Sequence, residues 1–134
     1  MVMKVPASAD LREDVVRLIV KAAKQGRIIT YGEIMRKCRI PRGQPTHNGK
    51  AIGDVVGRIS EWTWENWGVY LSAIVVHKNT GYPGGGFFGL PGIPGEFARD
   101  EAGWADQRLT ADEKAFLGKR QQEAFAWAKR RTIT

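Results

Sequence analysis

Three helix N-terminal signals constrain the fold of this chain more than any other feature of its sequence. At each signal, a residue that can cap a helix stands three positions before a glutamate, which is the capping-box arrangement. The three pairs are Asp10 with Glu13, Thr30 with Glu33 and Thr110 with Glu113. Apolar residues follow each pair at helical spacing. The sequence therefore predicts helices over residues 11–25, 31–38 and 111–131.

A further helix is predicted over residues 49–60, with Asn48 as its N-cap. Alanine, isoleucine and valine recur there every three or four positions and form a face to be buried. The outward residues, spaced by four, are Lys50, Asp54 and Arg58. This spacing favours ion pairs between the aspartate and its basic neighbours. Gly53 and Gly57 weaken the helix intrinsically, so we expect another backbone to pack closely against them.

The middle of the chain predicts a β-hairpin. Residues 70–77, with three β-branched residues at their centre, are the clearest strand, and residues 28–29 form a shorter extended piece. The sequence at 79–81, Asn-Thr-Gly, is typical of a turn, so Phe87 and Phe88 would lie on the returning strand. Residues 61–68 are interpreted as a connection.

The order of these elements favours an α+β fold of the winged helix-turn-helix class, with a two- to three-stranded sheet and an added C-terminal helix. In this fold the third helix enters a DNA groove and the hairpin lies along the backbone. The 134 residues fit a single domain. Its winged-helix core would span residues 10–90, and residues 91–134 would form a C-terminal extension.

Composition and charge narrow the classes of function. Hydrophobic residues make up 43% of the chain, which excludes wholesale disorder, and no apolar run is long enough to span a membrane. The single cysteine, Cys38, cannot form an internal disulfide, so a cytoplasmic location is expected. Of the net charge of +7, residues 1–48 carry +6. This asymmetry favours a polyanionic partner such as DNA, although a solvated basic face remains an alternative.

Two segments resemble a known family. Gly26–Ile34, GRIITYGEI, is similar to the G-x-[VI]-[TS]-[TS]-Y-G-E-[IV] stretch of the alkylguanine-DNA alkyltransferases and the alkyltransferase-like proteins, and Lys50–Gly53, KAIG, resembles their R-A-V-G. The resemblance covers roughly residues 11–90. It implies a winged-helix DNA-binding domain in which Tyr31 rotates a backbone phosphate. Lys50 would then enter the duplex and take the place of an extruded base.

The family's active-site sequence P-C-H-R-V aligns with residues 72–76, where Ala73 replaces the acceptor cysteine. Ile74 and Val75 stand in place of the histidine and arginine. Alkyl transfer requires the thiolate and a group that activates it, so the resemblance implies binding without covalent chemistry. The stretch 71–88 also resembles a set of small uncharacterised bacterial proteins.

Other chemistry-bearing patterns are weak. Gly84-x-Gly86-x-x-Gly89 matches a dinucleotide-binding pattern, but prolines and glycines follow it where a helix must begin, so no cofactor is expected. Cys38, His47 and His77 do not have the spacing of a zinc site. Ser72 lacks the glycine turn that surrounds a hydrolase nucleophile.

The aromatic segment leaves three roles open. Its rings could pack in the core, stack on bases, or form a protein-binding surface. The residues concerned are Trp62, Trp64, Trp67 and Tyr70. We expect double-stranded DNA as the partner, with no membrane and no metal, and a protein partner or a homodimer through Phe125 stays open. The expected DNA contacts are Tyr31, Arg36, Lys37, Arg39, Arg42, Lys50 and Arg58.

Two alternatives to DNA binding remain. The first is a module that binds a protein or a small ligand through the tryptophan segment and the Gly84–Gly95 loop. In this module a pocket for a ligand or a base would be lined by Trp62, Trp64, Trp67 and Ser72. The second is a small enzyme whose pocket is lined by Ser72, His77 and the same tryptophans.

Overall fold

The computed structural model describes residues 2–47, 50–84, 87–94 and 109–133. Four α-helices lie within these ranges: α1, Glu13–Lys24; α2, Tyr31–Lys37; α3, Ile52–Trp67; and α4, Ala111–Lys129. The strands of the described residues are β1, Val2–Met3; β2, Ile29–Thr30; β3, Val75–Val76; and β4, Thr132–Ile133. Short 3-10 turns cover Ala7–Ala9, Leu71–Ile74 and Phe87–Gly89.

The strands pair in parallel, β1 with β4 and β2 with β3. The described chain is therefore α+β. The hairpin predicted over residues 70–88 is wrong, because β3 pairs with β2 and Phe87 and Phe88 lie in a 3-10 turn. The run from Leu71 to Val76 is buried on all sides. A fully buried run shows no alternation of apolar and polar residues, so its sequence does not distinguish a strand from a buried helical turn. The chain does reverse after His77, whose carbonyl accepts from the Gly81 N–H at 2.8 Å.

The first predicted cap is also wrong. Asp10 adopts a left-handed conformation, with φ of 52°, at the end of the 3-10 turn, and α1 begins three residues later. The Glu13 carboxylate pairs with Arg17 at 2.8 Å. Arg12 occupies the N-cap position, and its guanidinium donates to the carbonyls of Cys38 and Thr46, which holds the segment after α2 against the start of α1.

The other two caps are confirmed. The Thr30 hydroxyl accepts from the Glu33 N–H, and Thr110 forms a complete capping box with Glu113. The Glu33 carboxylate pairs instead with Arg27 and with Lys37. The hydrogen bond from Arg27 is the main reason that the pKa of Glu33 lies below its usual value.

Helix α3 runs about two turns further than predicted. Ala51 is its N-cap, whereas the predicted cap Asn48 lies outside the described residues. The predicted connection 61–68 continues the helix until Gly68, whose φ of 70° ends it in the left-handed conformation. The expected backbone approach at Gly53 and Gly57 is wrong, since a Cβ at either position would have no atom of the described residues within 4 Å.

Two groups of buried side chains form the interior. The larger one joins α1, α2, α3 and the end of α4 around β2 and β3, and the smaller one gathers Phe87, Phe88 and Leu117 around Tyr70. The described helices include none long and apolar enough to cross a lipid bilayer.

Candidate functional site

A cleft of about 1130 Å³ opens between α2, α3 and the segment that follows β3. One wall is the outward face of α3, and Tyr31 and Met35 of α2 lie beside it. The segment after β3 contributes the opposite wall, with His77, Pro83, Gly84 and Phe87, and the start of the 3-10 turn at Ser72 also lines the cleft. This cleft is thus lined by three residues that the sequence predicts to contact DNA from two separate segments: Tyr31, Lys50 and Arg58.

Two basic and two acidic residues occupy the α3 side of the cleft. They are Lys50, just before the helix, and Asp54, Arg58 and Glu61 on it. The ion pairs predicted for Asp54 with Lys50 or Arg58 are wrong, because the described part of the chain shows no ion pair between them. These charges are therefore available to a bound molecule.

Two polar atoms of the cleft lining are buried without a partner. The Arg58 Nη1 and the Ser72 Oγ have no hydrogen bond within the described residues. The Ser72 side chain belongs to a residue that is 5% exposed, and its backbone N–H donates to the Ser60 Oγ at 3.2 Å. An unpaired buried donor costs roughly 1–3 kcal/mol, and more when it is charged. Both atoms therefore favour a bound water or ligand at this end of the cleft.

Tyr31 connects α2 to the opposite wall. Its hydroxyl oxygen accepts from the Gly84 N–H at 3.1 Å, and its ring lies against the His77 ring with centroids 4.7 Å apart. Burial raises the pKa of Tyr31, so the phenol stays neutral and keeps its O–H as a donor. A Cβ on Gly84 would lie 3.0 Å from the Tyr31 oxygen, so a larger residue there would displace one of the two walls.

The far end of the cleft is held by His47, whose Nε2 lies 3.0 Å from an Asp10 carboxylate oxygen. Neighbouring Cys38 is half-buried, and burial together with the Asp14 carboxylate raises the pKa of its thiol. A thiol in that state is a poor nucleophile. Within the described residues, no group of three His, Cys, Asp or Glu side chains is placed to hold a metal ion.

The remaining predicted DNA contacts lie outside the cleft. Arg36, Arg39 and Arg42 are exposed, and Lys37 pairs with Glu33 at 3.2 Å. They belong to the segment that joins two points of the cleft lining, Met35 and His47. Arg39 has a positive φ of 58°, which turns the chain out of α2.

The tryptophans do not belong to this site. Ser72 is the only member of the predicted ligand or base pocket found in the described lining of the cleft. Trp62 is buried and meets Trp67 edge to face, Trp67 packs against Trp127, and Trp64 stacks on Tyr70 with centroids 4.6 Å apart. Of the three open roles, the structure places these rings in packing.

Sequence reasoning missed Glu61 as a site residue. The sequence prediction places it in a connection, although it lies seven residues after Asp54 and three after Arg58, the spacing of one helix face. Extending the α3 periodicity past Ser60 would have found it. Pro83 and Phe87 left no comparable signal, because only the folded chain brings them to the cleft.

Comparison of the chain with protein-family models, with curated proteins and with solved structures found no significant match.

Proposed function

We propose that the chain is a non-catalytic DNA-binding protein of the winged-helix type. The observation that carries the proposal is the convergence of Tyr31, Lys50 and Arg58 on one cleft. Two of them are basic, and the third is a neutral phenol that does not repel a phosphate. The sequence resemblance of the Tyr31 and Lys50 segments to the alkyltransferase DNA-binding domain points in the same direction.

In the proposed complex the duplex lies over the mouth of the cleft. Helix α3 takes the place of the recognition helix, and the turn after His77 takes the place of the wing. The exposed Arg36, Arg39 and Arg42 pair with phosphates, which positions the duplex without reading its sequence. We therefore expect modest sequence specificity and a steep loss of affinity with salt.

A cleft of about 1130 Å³ has room for a nucleoside that has left the base stack. A mismatched or damaged base costs less to extrude than a paired one. The proposal therefore predicts tighter binding to a duplex with one mismatch than to its fully paired counterpart.

The test is fluorescence anisotropy with a labelled duplex at about 50 mM and about 200 mM salt. We compare the native chain with the double variant Tyr31→Ala/Lys50→Ala and with Lys119→Ala, which removes one exposed positive charge from α4. The double variant should bind more weakly, and its log–log salt slope should be smaller by about 0.9 for one lost phosphate contact. Lys119→Ala should bind like the native chain. Equal affinity of the native chain and the double variant would refute the proposal.

A further inference from the structure

The parallel pairing of β2 with β3 brings a tyrosine and a histidine together at the edge of the cleft. Thr30 is the register partner of Val76 in this pair. Tyr31 and His77 are the next residues along the two segments, and their ring centroids lie 4.7 Å apart. The His77 backbone is held by the turn that follows, since its N–H donates to the Tyr82 carbonyl at 2.9 Å. Both side chains line the cleft.

The polar atoms of the two rings approach the same point beside Gly84. A Cβ on that glycine would lie 3.0 Å from the Tyr31 hydroxyl oxygen and 3.5 Å from the His77 Nε2, so these two atoms are at most about 6.5 Å apart. The hydroxyl oxygen accepts from the Gly84 N–H and can still donate its own hydrogen. Within the described residues, this O–H has no acceptor and the exposed His77 ring makes no hydrogen bond or ion pair. The pair therefore has hydrogen-bonding capacity that the described fold does not use.

Two donors at this separation suit one phosphate group. Hydrogen bonds between charged donors and phosphate oxygens are about 2.7–2.9 Å long, so both donors can reach a single phosphate. Burial raises the pKa of Tyr31, which keeps its O–H available in neutral and mildly acidic solution. An imidazole carries a positive charge and donates from both nitrogens when it is protonated.

We propose that Tyr31 and His77 together bind one backbone phosphate and that protonation of His77 strengthens this binding; the inference rests on the proposed DNA-binding function. Protonation adds a positive charge and makes Nε2 a donor. Histidines ordinarily titrate near pH 6.5, so the binding is strongest below about that pH and weakens as the pH rises through it. By linkage, a bound phosphate makes His77 harder to deprotonate.

The charges around the pair are balanced, so one added charge changes their sum. Besides its histidines, the described lining of the cleft contains three basic and three acidic side chains. The lining residues concerned are Arg12, Lys50 and Arg58 against Asp10, Asp54 and Glu61, with His47 at the far end, and the turn after His77 adds Lys78 and Tyr82. Side chains of types other than histidine ordinarily keep their charge between about pH 5.5 and 7.5. The chain has two histidines, so the change in side-chain charge over this range is assigned to them.

The test is an NMR titration of the full chain with a thymidine dinucleotide without a terminal phosphate, whose single phosphodiester does not titrate in this range. The native chain should bind it about threefold more tightly at about pH 5.5 than at about pH 7.5, as expected for an exposed ion pair. His77→Gln keeps a donor but cannot be charged, so it should bind with the same affinity at both pH values. His47→Gln is the matched control and should keep the pH dependence. Tyr31→Phe keeps the ring contact and should bind more weakly at both.

The histidine ring resonances of the native chain give a second readout. With the dinucleotide bound, the midpoint of the His77 titration should rise by about half a pH unit, whereas that of His47 should stay unchanged. Spectra of His77→Gln assign the two resonances.

Equal affinity of the native chain at the two pH values would overturn the inference, as would the absence of dinucleotide binding. A pH dependence that survives in His77→Gln, or a midpoint that rises for His47 alone, would do the same. If Tyr31→Phe bound like the native chain, the two residues would not share a phosphate. None of these results decides the duplex-binding test at fixed pH, so the two proposals fail separately.

Discussion

The contact between Gly92 and the Trp64–Tyr70 stack gives a prediction whose magnitude follows from the structure. Gly92 has φ of +86°, and a Cβ at this position would lie 2.3 Å from Trp64 Cζ2 and 2.6 Å from the Tyr70 hydroxyl oxygen. The stacked rings are themselves held, since Tyr70 donates to the Pro91 carbonyl at 2.5 Å. Neither ring can move away without breaking a packed contact.

Gly92→Ala therefore combines two costs. A left-handed conformation costs a non-glycine residue roughly 1–2 kcal/mol, and overpacking of a rigid site costs about 1–3 kcal/mol. We expect the free energy of unfolding to fall by about 2–5 kcal/mol. Gly81 is the matched control, because its φ is +75° and a Cβ there would meet no described atom within 4 Å. Gly81→Ala should lose only the conformational part.

Urea denaturation, followed by circular dichroism and analysed with a common m-value, measures both variants. The difference between them isolates the steric cost at the ring stack. If Gly92→Ala were no less stable than Gly81→Ala, the 89–94 segment would not be clamped by Trp64 and Tyr70. The packing role assigned here to Trp64 would then be wrong.

Three further predictions concern stability. Ser72→Ala removes a buried hydroxyl that has no partner among the described residues, so it should raise the free energy of unfolding by about 1 kcal/mol. A loss of stability in urea denaturation would show that the hydroxyl is satisfied in the native protein. Gly57→Ala should stabilise α3 by about 1 kcal/mol, because the added methyl would meet no other atom in the described part of the chain; a lower thermal midpoint would contradict this. Burial raises the pKa of Tyr70 to about 12, so its contribution to stability should be complete below about pH 10 and disappear between pH 10 and about 12. Absorbance titrations of the native chain and of Tyr70→Phe check this, because the difference between the two curves gives the ionisation of Tyr70. A Tyr70 phenol that ionises near pH 10 would refute the prediction.

Local signals predicted the parts of the fold that local interactions decide. The caps at Thr30 and Thr110 were found because a hydroxyl and the N–H three residues later determine them without help from the rest of the chain. At Asp10 the same capping-box pattern gave a wrong prediction. The Arg12 guanidinium is hydrogen-bonded to the Cys38 and Thr46 carbonyls, which are distant in sequence, and α1 starts after Arg12. A tertiary contact outweighed the capping preference.

The strand pairing was beyond the same reasoning. Nothing in the residues around Val75 distinguishes an antiparallel partner nearby from a parallel one at Ile29, which lies 46 positions earlier. Parallel pairing requires a crossover through other elements, here α2 and α3, and only the packing of those helices selects it. The predicted α+β class therefore stands, whereas the predicted hairpin does not.

For the site, the sequence identified residues by chemistry and the fold decided which of them meet. Tyr31, Lys50, Arg58 and Ser72 do share a cleft, but the tryptophans grouped with Ser72 are taken up by the two cores. Burial of a large aromatic ring stabilises the fold more than its exposure to water does. In addition, three rings spaced two or three residues apart on α3 face different directions. Their proximity in sequence therefore gave no common surface.

The charge pattern of the cleft separates affinity from selectivity. At the α3 side of the cleft, the positive charges of Lys50 and Arg58 are offset by Asp54 and Glu61, so this wall adds little net attraction for a polyanion. Salt-dependent affinity in the proposed complex must then come mainly from the exposed arginines of residues 36–42, because counterion release scales with phosphates neutralised. The alternating charges along this wall have a different consequence: a charged group that is misplaced on a ligand meets a side chain of the same sign and is rejected. A DNA-binding surface that needed only affinity would gain from replacing Glu61 with a lysine.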